Sequence, residues 1–373
     1  MSRRRTRRAR RRAARDTRRG GLLEAPIPGG PPPVPDSPFL SARRGPRRRS
    51  APARFLAAVA VVLAPIAVGG ALYFAFGSDE DSHGAPAAQP SASVHPPAHP
   101  ARAKSHEPTR LAKPEPVPGV PLTGVDAFHI RFRWPPRAGL VFDVHTGGVL
   151  WRHRPLRVLP IASLTKIMTA LIVVERTRPD EPVRITQAAL DYSGSGVGVL
   201  PRGKRVRLET LLNGLLIVSG NDAAIALAVH ISGNERRFVR VMNRHARRWG
   251  LTCTHFASSH GLESGNRSCV RDLAVLARLA MTRQRIRRIV RRRQVSFRFP
   301  IKGRRLWLTG HNPLVRAGYP GTVGLKTGYT DDAGRCFVGV VRRGGRTLGV
   351  VLLNSRDPTK QGERLLNQAF ERR

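Results

Sequence analysis

Apolar and polar residues along the chain keep two different periods, and the change between them divides it into elements. "AGLVFDVHTGGVLWRH" (138–153) reads as two strands with a turn at Gly147-Gly148, and "RCFVGVVRRGGRTLGVVLLNS" (335–355) repeats the design around Gly344-Gly345. Between these hairpins the period becomes helical, over 163–176, 208–218, 221–231, 235–250 and 270–281. The closing "GERLLNQAF" puts Leu365, Leu366, Ala369 and Phe370 on one helical stripe, suited to packing on a sheet. Sheet, helical insert, sheet and closing helix predict one α+β fold over 123–373, an antiparallel sheet with helices on both sides. About 250 residues are enough to bury a large core.

The first third of the chain follows neither period. Residues 1–54 hold 17 arginines against three acids and read as a disordered basic tail. The tail lacks the interleaved aromatics of a base-stacking surface, so its charge favours an electrostatic role without nucleic-acid base recognition. Residues 55–76 are 22 consecutive uncharged positions, the length of a transmembrane helix. With arginines before them and "GSDEDS" after, the tail is expected in the cytoplasm and the remainder outside, the segment acting as an anchor rather than a cleaved signal. Residues 77–122, rich in Pro, Ala, Ser and His, read as a spacer, and its four scattered histidines as solvated linker rather than metal ligands.

Composition adds two constraints. Three cysteines are too few for a disulfide framework; Cys253 and Cys269 could pair in an oxidising compartment, while Cys336, within an apolar alternation, reads as a buried small hydrophobe. Of 66 basic residues only seven are lysines. Arginine keeps its proton in a protein and lysine can lose it, so lysines in apolar surroundings are candidates for chemistry.

Lys166 is one, in "IASLTKIMTA". Three residues after Ser163 at the start of a helical stretch, its amine shares a face with the serine hydroxyl, and the helix start favours a developing negative charge. For Lys166 to act as a base, burial or a second cation must lower its pKa from about 10.4. An N-cap serine with a snorkelling lysine is the alternative for this tetrapeptide alone. Ser219-Gly220-Asn221 sits between two apolar helices, where a hydroxyl and an amide can relay a proton and grip a peptide bond, or merely cap a helix. Lys326-Thr327-Gly328 precedes the last hairpin; the lysine and threonine suit a carboxylate, the glycine admits a ligand close to the backbone, and Lys326 is a candidate second cation.

The order S-x-x-K, S-x-N, K-T-G resembles that of penicillin-binding proteins and class A β-lactamases. "ASLTKIMTAL", "IVSGNDAAIALA", "HGL" and "YPGTVGLKTGYTDDAG" look most like the D-alanyl-D-alanine carboxypeptidases of low molecular mass, over about 124–370. The resemblance implies the penicillin-binding transpeptidase fold, no cofactor and no metal, with Ser163 as nucleophile, Lys166 as its base and Ser219 in proton delivery. It implies Asn221, Lys326, Thr327, Gly328 and Tyr329 as substrate-binding, the backbone N–H groups of Ser163 and Tyr329 forming the oxyanion hole. The expected partners are a peptidoglycan stem peptide ending in D-Ala-D-Ala, paired with the strand at 324–328, and β-lactams. The E-x-x-L-N loop of a β-lactamase is absent between the second and third motifs, where Glu263 is followed by "SGN". Related esterases and transpeptidases share the nucleophile, and a non-catalytic wall-binding protein is the reading from another class.

Overall fold

The computed structural model describes residues 119–372. The basic tail, the apolar run at 55–76 and the spacer as far as residue 118 lie outside the described residues. Residues 119–122, expected in the spacer, pack on the folded body. Val120 is buried, and the carbonyls of Gly119 and Leu122 accept hydrogen bonds from Arg278 and Arg152. Among the described residues no helix is long and apolar enough to cross a membrane.

The strands in chain order are β1 (Ala138–Asp143), β2 (Val149–His153), β3 (Leu159–Pro160), β4 (Pro182–Arg184), β5 (Arg205–Arg207), β6 (Arg267–Ser268), β7 (Gln294–Arg298), β8 (Arg305–Thr309), β9 (Thr322–Thr330), β10 (Gly334–Arg343) and β11 (Arg346–Leu353). Five form one antiparallel sheet in the order β2-β1-β11-β10-β9. The two ends of the domain therefore meet at its centre, Ala138 lying opposite Leu353. Both expected hairpins form, and Gly344 and Gly345, at φ 52° and 78°, make a two-residue turn whose left-handed backbone glycine adopts without steric cost.

Side-chain alternation assigns the sheet's two faces. Val141, Phe337, Val350 and Leu352 pack with Leu365, Leu366 and Ala369 of the closing helix Pro358–Glu371, on which Phe370 is only half-buried. Leu140, Phe142, Val338 and Val351 face the larger core, shared with the helices Lys166–Arg176, Leu208–Ile217, Asn221–Ser232 and Val270–Thr282. A sheet covered on both faces reads as nearly continuous apolar runs, as β10 and β11 do.

Cys253 and Cys269 form a disulfide, with Cα atoms 5.5 Å apart. It fastens a loop to the start of the helix Val270–Thr282, where Asp272 also accepts hydrogen bonds from the Cys253 N–H and the Thr254 hydroxyl. Cys336 is free and buried, as its alternation implies.

Candidate active site

Ser163 lies in a 3-10 turn, Ala162–Thr165, from which the helix Lys166–Arg176 continues. The helix thus begins three residues later than expected, and Ser163 caps nothing. In a 3-10 turn residues i and i+3 eclipse, which brings Ser163 Oγ and Lys166 Nζ to 2.9 Å. Ala162 is held at φ 48°, a conformation that costs energy for a residue with a Cβ and that clusters at functional sites. Two backbones press on this turn. A Cβ on Gly261 would lie 2.0 Å from the Ala162 carbonyl oxygen, and one on Gly328 would lie 3.0 Å from the Ser163 nitrogen. Gly328 therefore brings β9 against the Ser163 backbone N–H.

Lys166 is fully buried, and its Nζ also meets Asn221 Oδ1 at 2.7 Å and the His260 carbonyl at 2.7 Å. Burial, then the nearby Lys326 charge, holds its pKa well below the ordinary lysine value, against the opposing pull of Asp222, Glu263 and Glu235. The partners define what a neutral amine does here. Asn221 Oδ1 and the His260 carbonyl only accept, so they take two N–H hydrogens and leave the lone pair directed at the Ser163 hydroxyl. Asn221 cannot turn over readily, because its Nδ2 donates to the Ser193 carbonyl at 2.6 Å.

Ser219 stands at φ 62° between two helices. The N-cap of the second is Gly220, not Asn221, which leaves the asparagine side chain free to hold Lys166. Lys326 Nζ donates to Ser219 Oγ at 2.9 Å and to the Thr327 carbonyl at 2.8 Å. Burial lowers its pKa to about 7. Neighbouring strand residues alternate sides, so Lys326 turns inward to Ser219 while Thr327 stays half-exposed. Both line a small hollow with His311 and Asn312. Tyr329 is not brought into this cluster by its side chain, which is 61% exposed and donates to Asp331. Beyond Gly328, β9 is an edge strand, with one side unpaired within the sheet.

Several supporting residues carry no motif of their own. The buried Asp222 carboxylate accepts from the Val197 and Gly198 N–H groups at 2.9 Å each, fixing the loop whose Ser193 carbonyl orients Asn221. Glu235 accepts from the Ser259 N–H at 2.9 Å and hydroxyl at 2.5 Å, and so clamps the segment that presents the His260 carbonyl to Lys166. The carboxylate of Glu263 faces the His260 ring at 3.7 Å. The signals available in the sequence were the acid directly after Asn221 and the "HGL" segment.

The pattern of the family described as D-alanyl-D-alanine carboxypeptidase matches residues 136–357. The chain is 31% identical over 243 residues to D-alanyl-D-alanine carboxypeptidase DacF of Bacillus subtilis, covering 63% of this chain and 62% of that protein. It is 34% identical to DacB2 of Mycobacterium tuberculosis, covering 59% and 75%. Among solved structures, a point mutant of the Streptomyces K15 DD-transpeptidase superposes with a TM-score of 0.60 at 30% identity, covering 65% of this chain and all of that one. A D-alanyl-D-alanine carboxypeptidase from M. tuberculosis gives 0.56 at 31%, covering 64% and 86%. The chain spans less than two thirds of the Bacillus relative's length. With the family's pattern extending from β1 to the start of the closing helix, and Ser163, Lys166, Ser219, Asn221 and Lys326 gathered within it, the chain belongs to the D-alanyl-D-alanine carboxypeptidase family.

Proposed function

We propose that the protein is a membrane-anchored serine carboxypeptidase that removes the terminal D-alanine from peptidoglycan stem peptides and is acylated by β-lactams at the same serine. The observation that carries this reading is the Lys166 amine, buried, with two acceptors fixing its hydrogens and Ser163 Oγ 2.9 Å away. Ser163 passes its proton to Lys166 as Oγ attacks the carbonyl carbon of the penultimate D-alanine. The backbone N–H groups of Ser163 and Tyr329 hold the oxyanion. Collapse of the tetrahedral adduct breaks the C–N bond, and the Lys166 proton reaches the leaving nitrogen by way of Ser219. Water then attacks the acyl-enzyme and regenerates the Ser163 hydroxyl. Asn221 orients the substrate amide, Lys326 and Thr327 receive the terminal carboxylate, and the peptide lies along the free edge of β9.

If Lys326 and Thr327 read a carboxylate, a peptide ending in D-Ala-D-Ala should lose D-alanine at least about tenfold faster, in kcat/KM, than its C-terminal amide, the loss expected when one charge-assisted hydrogen bond is removed. Free D-alanine measured from both peptides decides this. Equal rates would remove carboxylate capture from the mechanism. The likeness to a protein described as a DD-transpeptidase favours a second reading, in which an amine replaces water as acyl acceptor. Formation of a cross-linked product when an amine is added separates the two.

Anchoring rests on the uncharged run at 55–76 and the arginines before it. The Cys253–Cys269 bond supports an oxidising location for the catalytic domain. A reporter fused after residue 110 should be accessible from outside intact cells and one fused before residue 50 should not. The opposite pattern would reverse the topology.

A further inference from the structure

The segment 283–305 contains eleven arginines and lysines and no acid in 23 residues. It builds the helix Gln284–Val290 and the β7–β8 hairpin, neither of which supplies a residue to the catalytic cluster. Some of its cations have structural partners, Arg285 on Glu209 and Arg292 on Asn213. Arg288, Arg291, Arg293, Arg298, Lys302 and Arg304 are exposed, with no side-chain hydrogen bond, ion pair or ring contact among the described residues.

In the hairpin, two of these cations share the outer face. Leu306 and Leu308 point inward, opposite Phe297 and Val295, whereas Arg305 and Trp307 point outward, opposite Arg298 and Ser296. Arg298 and Arg305 are thus directly opposed on the exposed side, an arrangement that destabilises a strand pair. Beside them Trp307 is 61% exposed, with the Arg305 guanidinium 5.8 Å from its ring centroid. The fold tolerates both a cross-strand repulsion and an exposed indole where polar residues would satisfy the hairpin. A polyanion relieves the first, and a ligand carrying sugar rings covers the second.

We propose that the outer face of the β7–β8 hairpin is a binding surface for a phosphodiester-linked glycopolymer of the cell envelope. Guanidinium forks match phosphate oxygens in pairs, which suits Arg298, Arg304 and Arg305, and the Trp307 ring offers a flat apolar face to a sugar. Arg298 and Arg305 face each other at the turn end of the hairpin, Arg304 precedes them in the turn and Trp307 lies two residues along β8, so the groups form an open surface rather than a single pocket. The choice of an envelope polymer over nucleic acid rests on the extracytoplasmic placement proposed above. Gly310 and His311, directly after β8, line the hollow beside Lys326 at the end of the hairpin away from Arg298, Arg304 and Arg305.

The test uses the full chain in phosphatidylcholine nanodiscs, so that the N-terminal arginines contribute equally throughout, and compares it with the variant R298Q/R304Q/R305Q and with W307A. Binding is measured against poly(glycerol phosphate) bearing glucose substituents, against double-stranded DNA of equal charge, whose paired bases offer no face to an indole, and against vesicles of phosphatidylglycerol and phosphatidylcholine. For the glycopolymer the triple variant should bind about tenfold more weakly, with a salt slope smaller by about two to three, one for each lost phosphate contact. W307A should weaken the glycopolymer and leave DNA binding unchanged. Penicillin acylation should be unaltered in both variants, which separates this surface from the catalytic reading. Without any polymer, R298Q should unfold about 1–2 °C higher than the parent, because it removes the repulsion. Unchanged glycopolymer affinity in the triple variant would overturn the proposal. So would losses confined to the vesicles, which would make the face a membrane contact, or equal losses for DNA and polymer with no effect of W307A, which would leave only general charge attraction.

Discussion

Lys166→Arg should acylate with a β-lactam at least about 100-fold more slowly than the parent, the scale of lost general-base assistance. Arginine preserves the positive charge, and elsewhere this chain uses arginine nearly everywhere charge suffices, with seven lysines among 66 basic residues. A guanidinium with a pKa above about 12 has no lone pair to offer at neutral pH. In the proposed mechanism the site serves that lone pair, because Asn221 and the His260 carbonyl each accept one hydrogen from the Lys166 amine. Stopped-flow acylation measures the effect, and thermal unfolding must accompany it, since a forked side chain replaces one that is fully buried. A well-folded variant that acylates at the parent rate would move proton abstraction to another residue.

Lys326→Met should make the protein more stable at neutral pH, by on the order of a few kcal/mol, and abolish carboxylate recognition. Burial holds the Lys326 pKa at about 7, whereas in the unfolded chain it returns to about 10.4. Between these values the unfolded state binds a proton that the folded state does not, so the parent's stability rises as pH climbs from about 7 to about 10. Lys166, depressed in the same direction, contributes a rise of the same sign. Removing Lys326 should therefore flatten the dependence without eliminating it, and the stability gain should shrink towards pH 10. Denaturant unfolding across this range is the measurement. Identical pH dependence in parent and variant would mean that Lys326 is not destabilised by its site. A gain of that sign would mean that the two buried amines are held at a cost in stability.

Much of this arrangement was legible in the chain because its signals are local. The glycine pairs at 147–148 and 344–345 mark hairpins, and Leu365, Leu366 and Ala369 mark the closing helix by their spacing. Ser163 and Lys166 announce each other at i and i+3, although the turn that joins them is 3-10 rather than α. What escaped was long-range. The hairpin β7–β8 was not foreseen, because its inward residues Val295, Phe297, Leu306 and Leu308 are diluted by arginines. The third partner of Lys166 is a main-chain carbonyl 94 residues away, which no side-chain pattern encodes. Glu235 and Asp222 act on loops, not on Ser163, and only the folded chain shows what they hold. The Cys253–Cys269 bond needed a distance that spacing does not supply.

The roles proposed for Ser163 and Lys166 meet in one covalent event. The full chain, incubated with benzylpenicillin, acid-quenched and digested, should yield a single peptide heavier by the mass of one penicilloyl group, with fragmentation placing the group on Ser163. The same digest from Lys166→Arg, quenched at the same early time, should be almost entirely unmodified. An adduct on any other residue, or no adduct at drug concentrations that label other members of the family, would contradict Ser163 as the nucleophile.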